Sequence, residues 1–153
     1  MLRRILIPVD FSSASAEALA IARQYCPGGT KRLLHVLDPK TLASDTANPR
    51  LSPIHAKDIR REAEEAGFEK LRRWALDSDE VALAVGNAAE AILKHAEEWN
   101  ADMIVIGTRG RRGIANFLSG SATEWLVRHA KLPVLVVHDV PLDAETACRL
   151  PPQ

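Results

Sequence analysis

The residues best suited to chemistry lie in one glycine-marked stretch, residues 107–121. Its glycines can adopt positive φ angles and let the main chain approach an anion without a Cβ in the way. Ser121 stands where a helical pattern begins and is expected to cap that helix. Free amides at a helix start, together with the positive end of its dipole, favour phosphate. The pattern therefore predicts a phosphate-binding loop between a strand and a helix.

The charge of this stretch favours the same chemistry. Residues 103–123 include no acidic side chain, whereas Arg109, Arg111 and Arg112 add positive charge. The whole chain has 20 basic and 20 acidic residues, so this excess is local. The glycine spacing alone is weak evidence, and an ordinary loop with solvated arginines is the alternative interpretation.

Other motifs for phosphate binding or nucleophilic catalysis do not fit the sequence. No glycine precedes a Lys-Ser or Lys-Thr pair, and the glycines do not form G-x-G-x-x-G. A G-x-S-x-G nucleophile motif does not occur either. The five histidines are scattered without the spacing of paired metal ligands. We therefore predict no catalytic residues and no metal held by protein side chains.

Length, net charge and cysteine content together predict one small cytoplasmic domain. A length of 153 residues suits a single core. A net charge of zero argues against recruitment to nucleic acid or an anionic membrane. The first apolar run stops at Asp10, and the cysteines, Cys26 and Cys148, suggest no disulfide framework. We expect a domain over residues 1–140 and a fraying tail over residues 141–153.

Short apolar runs alternate with helical patterns along the chain, which predicts βαβ units and a parallel sheet. Ser12, Ser13 and Ser15 are each suited to start the first helix, Asn87 is suited to start a later one, and Asn100 is suited to end it. A long helix is predicted over residues 53–76, and a long loop over residues 38–52. The predicted strands are residues 5–9, 32–37, 81–85, 103–106 and 134–137.

At this point the sequence resembles the universal stress protein family. Its nucleotide motif, G-x2-G-x9-G-[S/T], is matched by Gly107, Gly110, Gly120 and Ser121. The resemblance extends from Arg3 to His138 and therefore covers nearly the whole chain. Its other matching segments are residues 5–10, 35–36, 85–86, 102–110 and 133–137.

The resemblance implies a five-stranded parallel sheet in the order 3-2-1-4-5 with helices on both faces, an adenine nucleotide α-hydrolase-like fold. It also implies ATP binding, with any Mg²⁺ held largely by the phosphates. Asp10 would face the nucleoside, although capping of the following helix is the alternative. Pro8 would form the pocket floor and the Val36 main chain would meet adenine. The ribose and phosphate contacts would come from Gly107, Gly110, Gly120, Ser121 and Thr123, with Arg109 beside them.

Three functions follow as hypotheses. The first is an ATP-binding stress-response regulatory protein that holds phosphates on residues 107–121. The second is a slow ATPase or phosphotransferase in which Ser119, Ser121 or Thr123 accepts phosphate in the same pocket. The third is an interaction module that does not depend on nucleotide. In each case the last strand, which begins at Val134 and ends at Val137, would form an exposed sheet edge and favour a homodimer.

Overall fold

The computed structural model describes residues 2–40, 42, 53–108 and 120–138. Strands and helices alternate through these residues, as the sequence predicts. In chain order they are β1 (Arg4–Pro8), α1 (Ser13–Tyr25), β2 (Thr30–Leu37), α2 (Pro53–Trp74), β3 (Glu80–Val85), α3 (Ala88–Trp99), β4 (Met103–Thr108), α4 (Gly120–His129) and β5 (Val134–His138). None of the helices in the described ranges is long and apolar enough to cross a membrane.

The five strands form one parallel sheet in the order β3-β2-β1-β4-β5. The strand order implied by the family resemblance is therefore confirmed. From β1 the chain adds β2 and β3 on one side, and then β4 and β5 on the other. The direction of winding thus reverses at β1. In open parallel sheets, a crevice that can hold a ligand forms at the carboxyl ends of the strands beside such a reversal.

Helices cover both faces of the sheet, and the alternation of side chains along β1 shows how. Ile5 and Ile7 are fully buried in the core beneath α1 and α2. Leu6 points the other way, into the core beneath α3 and α4. Both faces of the strand are therefore buried, as its continuous apolar run predicts.

Three helix ends lie at capping residues that the sequence predicts. The Ser12 side chain caps α1 by accepting from the Ser15 amide, and the Asn87 side chain caps α3 in the same way. Asn100 ends α3 with a left-handed main chain at φ 55°. These predictions are confirmed because each depends on neighbours within a few residues.

Most boundaries differ by one or two residues from the predicted ones, and two of the differences bear on the candidate site. The stretch predicted as a loop from Gly107 to Gly120 is shorter, because Gly107 and Thr108 extend β4 by pairing with Val137 and His138. Ser121 does not cap α4, since the helix already includes Gly120. Ser121 instead lies in the first helical turn.

The predicted loop over residues 38–52 begins with helical backbone. Pro39, Lys40 and Leu42 are helical, and the Leu42 amide donates to the Asp38 carbonyl at 3.1 Å. The Asp38 carboxylate also accepts from the Lys40 amide at 2.8 Å. Pro39 has no amide to leave unpaired and its φ suits a first helical position, which accounts for this start. Residues 41 and 43–52 lie outside the described ranges.

Candidate functional site

Three of the predicted nucleoside contacts line one cavity at the carboxyl ends of β1 and β2. The cavity is shallow and open to solvent, with room for about one water molecule. Pro8 and Val36 line it from the sheet, and Ala88 and Ile92 line it from α3. Asp10 and His35 are its polar lining residues, so the walls suit a flat apolar group that lies across the mouth with a polar edge.

Asp10 connects this cavity to the start of α1. Its Oδ1 accepts hydrogen bonds from the Ser12 amide at 3.0 Å, from the Ser15 hydroxyl at 2.9 Å and from the Ser12 hydroxyl. Ser12 is the cap of α1, and Asp10 holds this cap residue in place through its amide and hydroxyl. Among the described residues these bonds all reach Oδ1, and Asp10 Oδ2 makes none. A ligand hydroxyl that approached the carboxylate would be met by Oδ2.

The main chain of Val36 points beyond the end of β1. The ladder between β1 and β2 ends with the bond from the Val9 amide to the Leu34 carbonyl, at 2.8 Å. Polar groups of alternate residues in a strand point the same way, so the N–H and C=O of Val36 also point toward the β1 side. There they can meet the edge of a planar ligand.

His35 occupies the position where that ladder would continue. Its Nδ1 lies 2.7 Å from the Val9 carbonyl, which can only accept, so Nδ1 carries the proton. Burial lowers the pKa of His35 below its ordinary value, although the Val9 carbonyl and the Asp10 carboxylate oppose the shift. The imidazole is therefore neutral at neutral pH. The ring therefore has a structural role at the end of the ladder.

Phe11 is a site residue that the sequence analysis missed. Its φ is +62°, in the left-handed region that bulky side chains seldom adopt. The ring lies 4.8 Å from the His35 ring and 5.5 Å from the Trp74 ring, which it meets edge-on. The ammonium group of Lys70 lies 5.4 Å from the Phe11 ring centre. No composition or spacing signal marks an aromatic residue for a left-handed turn.

Gly107 reaches the same edge of the sheet, because β4 lies next to β1. It also touches α1 so closely that a Cβ on it would lie 2.3 Å from the Ala14 carbonyl oxygen and 2.9 Å from the Ser15 nitrogen. The close packing of β4 against α1 therefore requires glycine at position 107 whether or not a ligand is bound. The glycine motif predicts a role in phosphate binding for Gly107, and the contact with Ala14 is a second reason for glycine at this position.

The predicted phosphate contacts on α4 divide by burial. Gly120 and Ser121 form the first turn, and Ser121 is exposed. Thr123 is only 5% exposed, and its hydroxyl has no hydrogen-bond partner among the described residues. Gly110 and Arg109 lie outside the described ranges, as do Arg111 and Arg112.

Comparison with known proteins gives the same assignment along nearly the whole chain. The model of the universal stress protein family matches residues 1–138. A universal stress protein of Thermus aquaticus is 30% identical over 137 residues, which cover 90% of this chain and 99% of that one. The solved structure of MJ0577, from Methanocaldococcus jannaschii, superposes with a TM-score of 0.72 and 26% identity, covering 93% of this chain and 99% of that one. A universal stress protein family member of Arabidopsis thaliana, solved with AMP bound, has a TM-score of 0.63 at 17% identity and covers 94% of each chain.

Proposed function

The chain belongs to the universal stress protein family, and from that premise we propose that it is an ATP-binding regulatory protein of the stress response. One observation carries the proposal. Pro8, Asp10 and Val36, each predicted to contact a nucleoside, line a single cavity beside the strand where the winding of the sheet reverses.

The groups that line the shallow cavity suit adenosine, whose base would lie across the cavity mouth. Pro8, Ala88 and Ile92 offer apolar contact to the faces of a base. The N–H and C=O of Val36 can pair with the base edge, since adenine presents both acceptors and a donor. Asp10 Oδ2 can accept from a ribose hydroxyl while Oδ1 keeps its bonds to Ser12 and Ser15 at the start of α1. Adenosine therefore has partners for the Asp10 carboxylate and for the Val36 main chain.

The triphosphate would extend from this cavity toward the start of α4. The helix follows β4, so its first amides lie at the carboxyl edge of the sheet, where the helix dipole favours an anion. The buried Thr123 hydroxyl has a donor to offer. Arg109 and Gly110 on the connecting segment add the charge and the main-chain amides that phosphates need. Mg²⁺, if it accompanies ATP, would be coordinated mainly by phosphate oxygens.

The AMP-bound plant protein lends limited support. At 17% identity its likeness establishes a shared fold and nothing about ligands. It does show that this architecture can accept an adenine nucleotide. Nucleotide binding by this chain is supported by its own cavity and by its glycine motif.

A thermal shift measurement tests nucleotide binding directly. At one hundred times Kd, ATP should stabilise the fold by about 2.7 kcal/mol. For a chain of this size that raises Tm by roughly 5–11 °C. GTP at equal concentration should give a smaller shift, because guanine carries its donors and acceptors at other ring positions. An unchanged Tm at millimolar ATP with Mg²⁺ would contradict the proposal.

A Thr123→Val variant separates the phosphate contact from effects on folding. Valine has nearly the same shape, and the hydroxyl it replaces has no partner among the described residues. The Tm without nucleotide should therefore stay close to that of the wild type. Affinity for ATP should fall by roughly tenfold, which is about the 1.4 kcal/mol of one hydrogen bond to a charged group. Unchanged affinity would remove Thr123 from the site.

A second proposal concerns assembly, and the exposed edge at β5 favours it. In the described sheet β5 pairs with β4 alone. Leu135 on this strand is 39% exposed, and Val127 on the neighbouring helix is 53% exposed. An apolar strand at an open edge can pair with a second copy of the chain, so we propose a homodimer through β5.

Light scattering on two variants tests the dimer. The wild-type chain should be a dimer at micromolar concentration, and Leu135→Lys should convert it to a monomer. Leu76→Lys is the matched control, because Leu76 is also exposed but follows α2, away from β5. A monomeric wild-type chain would contradict this interface, as would equal effects of both variants.

A further inference from the structure

We propose that Phe11 is a positioning residue of the nucleotide site. Its packed ring holds residue 11 in a left-handed conformation, which ends the pairing of β1 with β2 and fixes the Asp10 carboxylate at the cavity. The inference rests on the proposed function, because its readout is nucleotide affinity. Phe11 itself does not line the cavity, so it acts through its neighbours.

The left-handed main chain at Phe11 needs support, since an L-residue adopts it only at a conformational penalty. The aromatic contacts with His35 and Trp74 and the Lys70 ammonium supply that support from β2 and α2. A bulky residue persists in this conformation only where the surrounding structure fixes it. The contacts of the ring therefore stabilise the left-handed main chain at residue 11.

The turn at Phe11 determines what the cavity presents to a ligand. Asp10 precedes it, and the Ser12 amide that follows it bonds Asp10 Oδ1 at 3.0 Å. The Val9 carbonyl bonds the His35 ring at 2.7 Å and so does not continue the ladder. As a result, the main-chain groups of Val36 lie beyond the last bond of the ladder, on the side where the cavity lies. A right-handed or extended residue 11 would send the chain in another direction and displace the carboxylate.

Two substitutions at this position separate the main-chain conformation from the ring. Phe11→Ala and Phe11→Gly remove the same aromatic contacts, but only glycine adopts the left-handed region without penalty. We expect AMP affinity to fall by about tenfold or more in Phe11→Ala and by less than about threefold in Phe11→Gly. Isothermal titration calorimetry below the Tm of each variant gives both constants.

The affinity for inorganic tripolyphosphate is a second measurement, and a general loss of structure would lower it together with the affinity for AMP. Tripolyphosphate lacks the nucleoside, so its affinity should be the same for the wild type, Phe11→Ala and Phe11→Gly. Asp79→Asn is a control for stability, since Asp79 precedes β3 at the opposite edge of the sheet. This variant should bind AMP as tightly as the wild type.

The outcomes distinguish this inference from the proposed function. A wild-type chain that binds neither AMP nor ATP would overturn both. If the wild type binds AMP and both Phe11 variants lose affinity equally, the left-handed main chain is not what positions Asp10. An equal loss of tripolyphosphate binding would show that the variants have lost structure generally. Either of these last two results overturns the positioning role and leaves nucleotide binding intact.

Discussion

The close approach of β4 to α1 predicts that Gly107→Ala will destabilise the protein in the absence of any ligand. The new Cβ would lie 2.3 Å from the Ala14 carbonyl oxygen, 2.4 Å from the Ala14 carbonyl carbon and 2.9 Å from the Ser15 nitrogen. Ordinary contacts between such atoms are roughly 3.5 Å or longer, so the helix and the strand must separate by about 1 Å. All three atoms belong to the main chain, so no side-chain rotation can relieve the overlap.

Overpacking of this kind costs about 1–3 kcal/mol, and the upper end applies because a whole helix must move. For a protein of this length, a loss of about 3 kcal/mol lowers Tm by roughly 6–12 °C. Calorimetry and urea unfolding without nucleotide should both report the loss. The same separation should move the start of α1, and with it the Asp10 carboxylate.

Gly28→Ala is the matched control for this prediction. Gly28 lies in the turn before β2, and a Cβ there would meet no atom within 4 Å. Its Tm should therefore differ little from that of the wild type, since exposed substitutions change stability by about 0.5 kcal/mol or less. Equal Tm values for Gly107→Ala, Gly28→Ala and the wild type would refute the packing argument and leave phosphate contact as the reason for glycine at 107.

Two further predictions concern charged groups outside the cavity. The main-chain amides of Arg4 and Arg3 lower the pKa of Asp102 below its ordinary value. The ionised carboxylate therefore stabilises the fold at pH values above the ordinary pKa of aspartate, and this contribution is lost as the pH falls through the lowered pKa. The free energies of urea unfolding of Asp102→Asn and the wild type should therefore differ at neutral pH and converge in acid. Asp79, whose side chain is 1% exposed, forms an ion pair with Arg23 at 2.6 Å. Asp79→Ala should therefore lower the free energy of unfolding by about 2–3 kcal/mol at neutral pH. A double-mutant cycle with Arg23→Ala should assign most of that loss to the ion pair.

The sequence predicts the fold well where neighbouring residues decide the structure. Ser12, Asn87 and Asn100 act as helix caps because capping depends on contacts within three or four positions. The buried strands are recognisable because both faces are covered, which demands an unbroken apolar run. The strand order came from the family resemblance, since alternation alone fixes a parallel sheet but not which strands are neighbours.

The sequence predicts the site less well, because its residues meet through contacts across the fold. Phe11 adopts its conformation through rings contributed by β2 and α2, which no local pattern reveals. Gly107 was assigned to phosphate binding from its spacing, whereas its contact with Ala14 joins residues 93 positions apart. Asp10 lines the cavity, and its bonds to Ser12 and Ser15 show that the same carboxylate also holds the start of α1.

The central position of β1 has a consequence for how the protein matures. This strand is synthesised before the other four, but β4, its partner on one side, begins only at Met103. Until then β1 has an open edge, and Gly107 and α4, from which phosphate contacts are proposed, have not been made. The two sides of β1 join through contacts such as the one between the Arg3 amide and Asp102, which are 99 residues apart. Pairing over such distances in sequence is slow to form, so ligand affinity should arise late in folding and should report that the C-terminal half has docked.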